Sequence, residues 1–139
     1  MWFPLFIFRS IAPIIRAVMK TSSVMIVEDD ARVRSLIRRM IADLVVSVYE
    51  CAGGEEAVEL YRRLQPDLVL MDLRLEGVDG LSATRAIRDS FPEARLVIVT
   101  SYDALDLREA AREAGAMDYV VKDDLSSLRA IVKRATESA

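Results

Sequence analysis

From Val24 onward the chain alternates short apolar runs with stretches of helical period, five times over. The runs are Val24–Val27, Val45–Tyr49, Leu68–Met71, Leu96–Thr100 and Tyr119–Val121. Runs this short, rich in Val, Ile and Leu, are of strand length and too brief for helices. After the first, Val33, Leu36, Ile37, Met40, Ile41 and Leu44 recur at i, i+3, i+4 and i+7 spacing with arginines on the other face, which predicts an amphipathic helix. Val58, Leu60, Tyr61 and Leu64 predict a second helix after Gly53-Gly54, and Leu81–Ile87 a third. Leu105–Ala114 predicts a fourth, closed by Gly115 as C-cap, and Leu125–Arg134 a fifth. Strand followed by helix, repeated five times, predicts an α/β protein: a doubly wound, five-stranded parallel sheet covered on both faces by helices with right-handed crossovers. At 139 residues the chain fits one such domain.

In open parallel sheets a ligand site lies outside the carboxyl ends of the strands. The residues at those ends are therefore the informative ones. Strand one runs into Glu28, Asp29 and Asp30, strand three into Asp72, strand four ends at Thr100-Ser101, and strand five runs into Lys122. Carboxylates gathered at one rim repel by roughly 4 kcal/mol for a pair 4 Å apart at an effective dielectric near 20, so a cation must join them. The donors on offer are oxygens, which suit Mg2+ better than zinc or copper. Mg2+ in turn points to phosphate, with Asp72 as nucleophile, Lys122 pairing with phosphoryl oxygens and Thr100 donating to another. Each residue also has a plainer reading. Asp30 suits a helix N-cap, preferred here by two to one; Thr100 could cap helix four, and Lys122 could be a solvated surface charge.

Histidine is absent, which removes histidine-based metal sites, histidine-assisted nucleophiles and a histidine phosphocarrier on this chain. A single cysteine, Cys51, allows no intrachain disulfide and fits a reducing compartment, with the thiol as a small buried apolar group. The net charge is −3, and Arg9, Arg16 and Lys20 place +3 on residues 1–20, leaving −6 for the rest. An acidic body without a basic face argues against direct nucleic-acid binding.

The segments "VMIVEDD", "PDLVLMDLRLEGVDG", "LVIVTSYD" and "AGAMDYVVKDD" resemble, in order and spacing, the receiver domains of two-component response regulators, over about residues 23–135. The resemblance implies the flavodoxin-like (βα)5 receiver fold and a cytoplasmic signalling protein that modifies only itself. It implies Asp72 as phosphoacceptor, taking phosphate from a phosphohistidine on a sensor histidine kinase or a histidine phosphotransfer protein. Asp29 is then the direct Mg2+ ligand, Glu28 an acid acting through water, and the Arg74 backbone carbonyl a further ligand. Thr100 becomes the switch hydroxyl, Lys122 the phosphate-pairing lysine and Tyr119 the switch aromatic. The output surface is the face of helix four, strand five and helix five, which would bind a downstream protein or a second copy. Lys122 precedes Asp123 where receivers often have proline; a cis bond without proline costs about 2.5–4 kcal/mol, which leaves that loop's geometry open. "Lys-Asp" is similar to receivers of the NarL/FixJ type, whose full-length members carry a DNA-binding helix-turn-helix. Arg74 and Tyr102, both large, flank the site and are expected to slow water attack on the phosphate. A haloacid-dehalogenase-type phosphatase wants an aspartate where Arg74 stands, so the enzyme reading ranks low.

Two segments stand outside the resemblance. Residues 1–20 form an apolar and basic extension to a receiver domain of residues 21–139. They fall short of the roughly 20 apolar residues that span a bilayer and lack the basic start of a secretory signal. Ile11, Ile14, Ile15, Val18 and Met19 share a helical face suited to a membrane surface or a partner helix; the reading slightly preferred is an upstream start codon, with Met19 or Met25 nearer the usual start of the family that the chain resembles. With the chain ending soon after helix five, the expectation is a stand-alone phosphoacceptor switch, the alternative being the receiver part of a truncated NarL/FixJ-type DNA-binding regulator.

Overall fold

The computed structural model describes residues 22–137; residues 1–20, with their predicted amphipathic face, lie outside that range. Five strands, β1 (Ser23–Val27), β2 (Ser47–Cys51), β3 (Leu68–Met71), β4 (Leu96–Thr100) and β5 (Asp118–Val121), form one parallel sheet in the order β2-β1-β3-β4-β5. The helices between and after them are α1 (Ala31–Ile41), α2 (Gly54–Leu64), α3 (Gly80–Ser90), α4 (Leu105–Ala114) and α5 (Leu128–Glu137). This is the predicted doubly wound architecture.

Side chains alternate across a strand, and the core divides accordingly. Met25, Val27, Val69, Met71, Leu96 and Ile98 pack with Ala57 and Tyr61 of α2, Ala83 and Ile87 of α3 and Ala111 of α4. Val24, Ile26, Leu68, Leu70, Val97 and Val99 pack with Ile37 and Ile41 of α1 and Leu128, Ile131 and Val132 of α5. The middle strands are buried on both faces, which is why they read as continuous apolar runs. Cys51 is buried as expected, and burial pushes its thiol up to about 12.

Several boundaries differ from the prediction, and those of β2, α1 and α5 have a visible cause. β2 begins and ends two residues later than Val45–Tyr49, because the N–H groups of Val46 and Ser47 both turn to the Ser22 carbonyl and Val46 is left exposed. As an edge strand, β2 has a weaker burial pattern to read. α1 stops at Ile41, with Leu44 bonded back to the Ile41 carbonyl in a turn. α5 starts at Leu128, not Leu125, because the Asp124 carboxylate accepts from the Ser126 N–H and hydroxyl and holds a turn there. No cis peptide occurs among the described residues, so the Lys122–Asp123 bond is trans. Its turn is closed by the Asp124 N–H donating to the Val121 carbonyl at 2.9 Å.

Gly80 must be glycine for a steric reason. A Cβ at this position would stand 1.9 Å from the Asp72 carbonyl oxygen. The start of α3 is thus pressed against the exit of β3, and the Gly80 N–H donates to the Leu73 carbonyl at 2.9 Å. That contact fixes the backbone on which Asp72 stands.

Candidate functional site: an acidic cleft at the strand ends

The sheet order places the ends of β1 and β3 side by side, at the point where the chain changes winding direction. Asp72 continues the pairing one residue past β3: its N–H donates to the Val27 carbonyl at 3.0 Å. Glu28 does the same on the other side, its N–H donating to the Cys51 carbonyl at 3.0 Å. Both carboxylates are therefore carried by ladder backbone rather than by a free loop. Glu28 is 1% exposed and Asp72 6%; Asp29, on the bend before α1, is exposed.

Glu28, Asp29 and Asp72 each offer a carboxylate oxygen within 4.8 Å of the others. Lys122, at the end of β5, reaches across β4 to join two of them. Its Nζ donates to Glu28 Oε1 at 2.5 Å and to Asp72 Oδ2 at 2.9 Å. Burial alone would lower the lysine's pKa, but these two bonds hold it above its ordinary value. Glu28 moves the other way from a usual ion-paired acid. Burial and then the neighbouring Asp72 raise it from 4.5 to about 7, although Lys122 pulls in the opposite direction. Glu28 is near a cation yet short of compensation, since its Oε2 is buried with no hydrogen-bond partner. The cluster carries one ammonium for three carboxylates, and its donors are hard oxygens, so it fits a divalent cation of the Mg2+ type.

These groups line a cleft of about 270 Å³ with Asp30, Val33, Arg74, Ser101 and Tyr102. A larger groove of about 400 Å³ lies next to it, walled by Leu73, Leu75, Leu81 and Leu107. Its one carboxylate, Asp79, is the α3 N-cap and accepts from the Ser82 N–H at 2.9 Å, so the acidic cleft is where the chemistry can occur. Arg74 and Tyr102 border both spaces, the guanidinium 4.2 Å from the tyrosine ring centroid. The sequence marks both residues as large, but nothing in it signals that they stack.

Two residues expected at the site are not on the cleft wall. Thr100 is fully buried, and its hydroxyl lies 3.5 Å from the Tyr102 N–H; α4 is capped by Ala104 without a side-chain bond, so Thr100 does not cap it. Tyr119 is half-buried against the core, its hydroxyl donating to the Tyr102 carbonyl at 2.6 Å while Arg108 lies over its ring at 4.7 Å. Asp30 takes the N-cap role, its Oδ1 accepting from the N–H groups of Arg32 at 2.9 Å and Val33 at 3.4 Å.

A strand-end acidic cluster, bridged by a lysine on a (βα)5 sheet, is the arrangement of a signalling receiver. The family model of the response regulator receiver domain matches residues 24–133, and the chain belongs to that family, the receiver domains of two-component response regulators. It is 39% identical over 103 residues to the response regulator GacA of Pseudomonas aeruginosa, an alignment covering 71% of this chain and 47% of GacA. The chain thus matches about half the length of that relative. Among solved structures, a LuxR-family two-component response regulator from Aurantimonas shares 38% identity with a TM-score of 0.72, over 81% of this chain and 85% of that one. That similarity agrees with the NarL/FixJ-like subtype. The receiver domain of a Pseudomonas aeruginosa sensor histidine kinase, solved with a magnesium ion coordinated in its active site cleft, is 31% identical with a TM-score of 0.75, over 84% of this chain and 98% of that one. Among the described residues no helix is long and apolar enough to cross a membrane.

Proposed function

We propose that this chain is a phosphoacceptor switch. Asp72 takes a phosphoryl group from a phosphohistidine of a sensor histidine kinase or histidine phosphotransfer protein, and the product alters the face of α4, β5 and α5 toward a downstream protein or a second copy. The observation that carries the reading is the triad of Asp72, Glu28 and Asp29 within 4.8 Å of one another, with Lys122 2.9 Å from the Asp72 carboxylate.

Glu28, Asp29, Asp72 and the Arg74 carbonyl would hold Mg2+, which when bound supplies charge neutralisation to the incoming phosphoryl oxygens. An Asp72 carboxylate oxygen attacks phosphorus as the phosphorus–nitrogen bond breaks, and the imidazole leaves with the bonding pair. Lys122 follows the charge from carboxylate to phosphoryl oxygen. Ladder backbone on both sides keeps Asp72 and Glu28 in place, so little reorganisation accompanies transfer. Phosphorylation replaces one negative charge by nearly two and adds acceptor oxygens. Thr100 turns toward the new group, and Tyr119 leaves the Tyr102 carbonyl for the space so opened. Full switching from 1:99 to 99:1 requires about 5.5 kcal/mol of differential stabilisation, within reach of several charge-assisted contacts.

Intact-mass measurement after incubation with acetyl phosphate tests this. A single phosphoryl adduct that needs both Mg2+ and Asp72 is expected; an equal adduct in Asp72→Ala would sink the proposal. A second reading is favoured by the 47% coverage of GacA and the LuxR-family neighbour: the receiver part of a DNA-binding regulator. A reading frame running past codon 139 into a helix-turn-helix would support it, and a stop codon followed by unrelated sequence would exclude it.

A further inference from the structure

Glu28 is anchored through both sides of its backbone. Its N–H is held by β2, as described, and its carbonyl accepts from Arg34 Nη1 at 2.7 Å. Arg34 lies in the first turn of α1, its own N–H donating to the Asp30 carbonyl at 2.9 Å. Helical side chains lean toward the helix N-terminus, so the guanidinium doubles back onto the bend that carries Glu28 and Asp29. There its Nε stands 3.4 Å from Glu50 Oε1 on β2, with the arginine side chain 21% exposed. Arg38, one turn on, holds the other Glu50 oxygen at 2.7 Å and is more open to solvent. Arg34 and Arg38 share one counter-ion, but Arg34 alone of the two bonds to the bend.

The carbonyl that Arg34 grips belongs to the Glu28–Asp29 peptide. The orientation of that peptide sets where the Asp29 carboxylate points, and Asp29 is the exposed member of the cluster, without burial to hold it. A hydrogen bond from a charged donor is roughly twice as strong as a neutral one. The guanidinium spends its charge on a backbone carbonyl and on Glu50, not on the carboxylates of the cluster. We infer that Arg34 is a positioning residue for divalent-cation capture: it fixes the Glu28–Asp29 peptide, and Glu50 holds Arg34 in place. This rests on the Mg2+ reading of the cleft.

Charge and positioning predict opposite signs, which makes the inference testable. Removing a cation beside an acidic cluster should by charge alone strengthen Mg2+ binding; losing the carbonyl contact should weaken it. The experiment is calorimetric titration with Mg2+, without phosphodonor, on wild type, Arg34→Met, Arg34→Lys and Arg38→Met, with thermal unfolding of each followed in parallel. Arg34→Met is expected to bind about tenfold more weakly, the usual scale for groups that orient ligands, with Arg38→Met within about twofold of wild type. Arg34→Lys should recover part of the loss. Arg34→Gln carries the same prediction should Arg34→Met fail to fold. Unchanged or tighter binding in the Arg34 variants, or an equal loss in Arg38→Met, overturns the inference and leaves the metal site standing. No Mg2+ binding by wild type overturns the metal reading and the inference with it.

Discussion

Asp67 and Asp72 stand at opposite ends of the same strand, with only Leu68–Met71 between them. At the entry, Asp67 Oδ2 accepts the Ser23 N–H at 2.8 Å, and the Asp67 N–H donates to the Ser23 carbonyl at 2.9 Å. The start of a parallel sheet presents backbone N–H groups, so an acid there finds neutral donors and stitches β3 to β1. At the exit the strands present carbonyls, and an acid there must find a cation. Asp72 has Lys122, and it has Glu28 and Asp29 as neighbours that one ammonium does not neutralise. The same residue type, five positions apart, is tied to a backbone N–H at one end and to an ammonium at the other because the polarity of the sheet edge reverses.

Removing the shared cation should have the largest effect. Lys122→Met leaves two buried carboxylates unpaired; a broken buried pair typically costs about 3–5 kcal/mol, and partial protonation of Glu28 should put this one at the low end. Urea unfolding measures that loss. Adduct formation from acetyl phosphate should drop by about 100-fold or more, as when a group stabilising transferred charge is lost. A Lys122→Met protein as stable and as readily phosphorylated as wild type would erase the contrast between the two ends.

The pH response comes next. Without Mg2+, Glu28 holds its proton up to about 7 instead of 4.5. The folded state binds that proton more tightly than the unfolded chain, so this contribution is complete below about 4.5 and is lost as pH rises through about 7. Urea midpoints should fall across that interval, and Glu28→Gln should remove the slope. Mg2+ needs the ionised carboxylate, so its affinity should rise over the same interval. Affinity that is flat with pH would mean that Glu28 takes no part.

At the other end of β3, Asp67→Ala should lower stability by about 1–2 kcal/mol, the scale of a lost hydrogen bond with its donor left unpaired, and leave the extent of phosphorylation unchanged. Smaller still is the expected effect of Arg74→Asn, which opens the stack with Tyr102 at the mouth of the cleft, a contact of about 0.5–1 kcal/mol when exposed. The adduct should decay severalfold faster once donor is removed. An unchanged half-life would show that the stack does not shield it.

How far the sequence could be read follows the same physics. β3 and β4 match their predicted limits because strands buried on both faces are continuous apolar runs with sharp ends. The edge strand β2 and the late start of α5 depart from their predicted limits, since both depend on single turns at Ser22 and Asp124. The gathering of Glu28, Asp29, Asp72 and Lys122 at one rim is legible because placing residues at strand ends needs only the strand assignment. The hold of Arg34 on the Glu28 carbonyl, the Arg74–Tyr102 stack and the bond from Tyr119 to Tyr102 are not. The two contacts to Tyr102 join segments brought together by packing, and the hold of Arg34 is a fold-back over six residues that hydrophobic periodicity does not encode.

The central claim is that the acid leaving β3, and no other, accepts the phosphoryl group. Reductive trapping with borohydride after acetyl phosphate treatment converts an aspartyl phosphate to homoserine, and peptide mass mapping then locates it. The account predicts homoserine at position 72 alone. Label at Asp29, Asp30 or Asp67, or none at all in folded protein supplied with Mg2+, would contradict it.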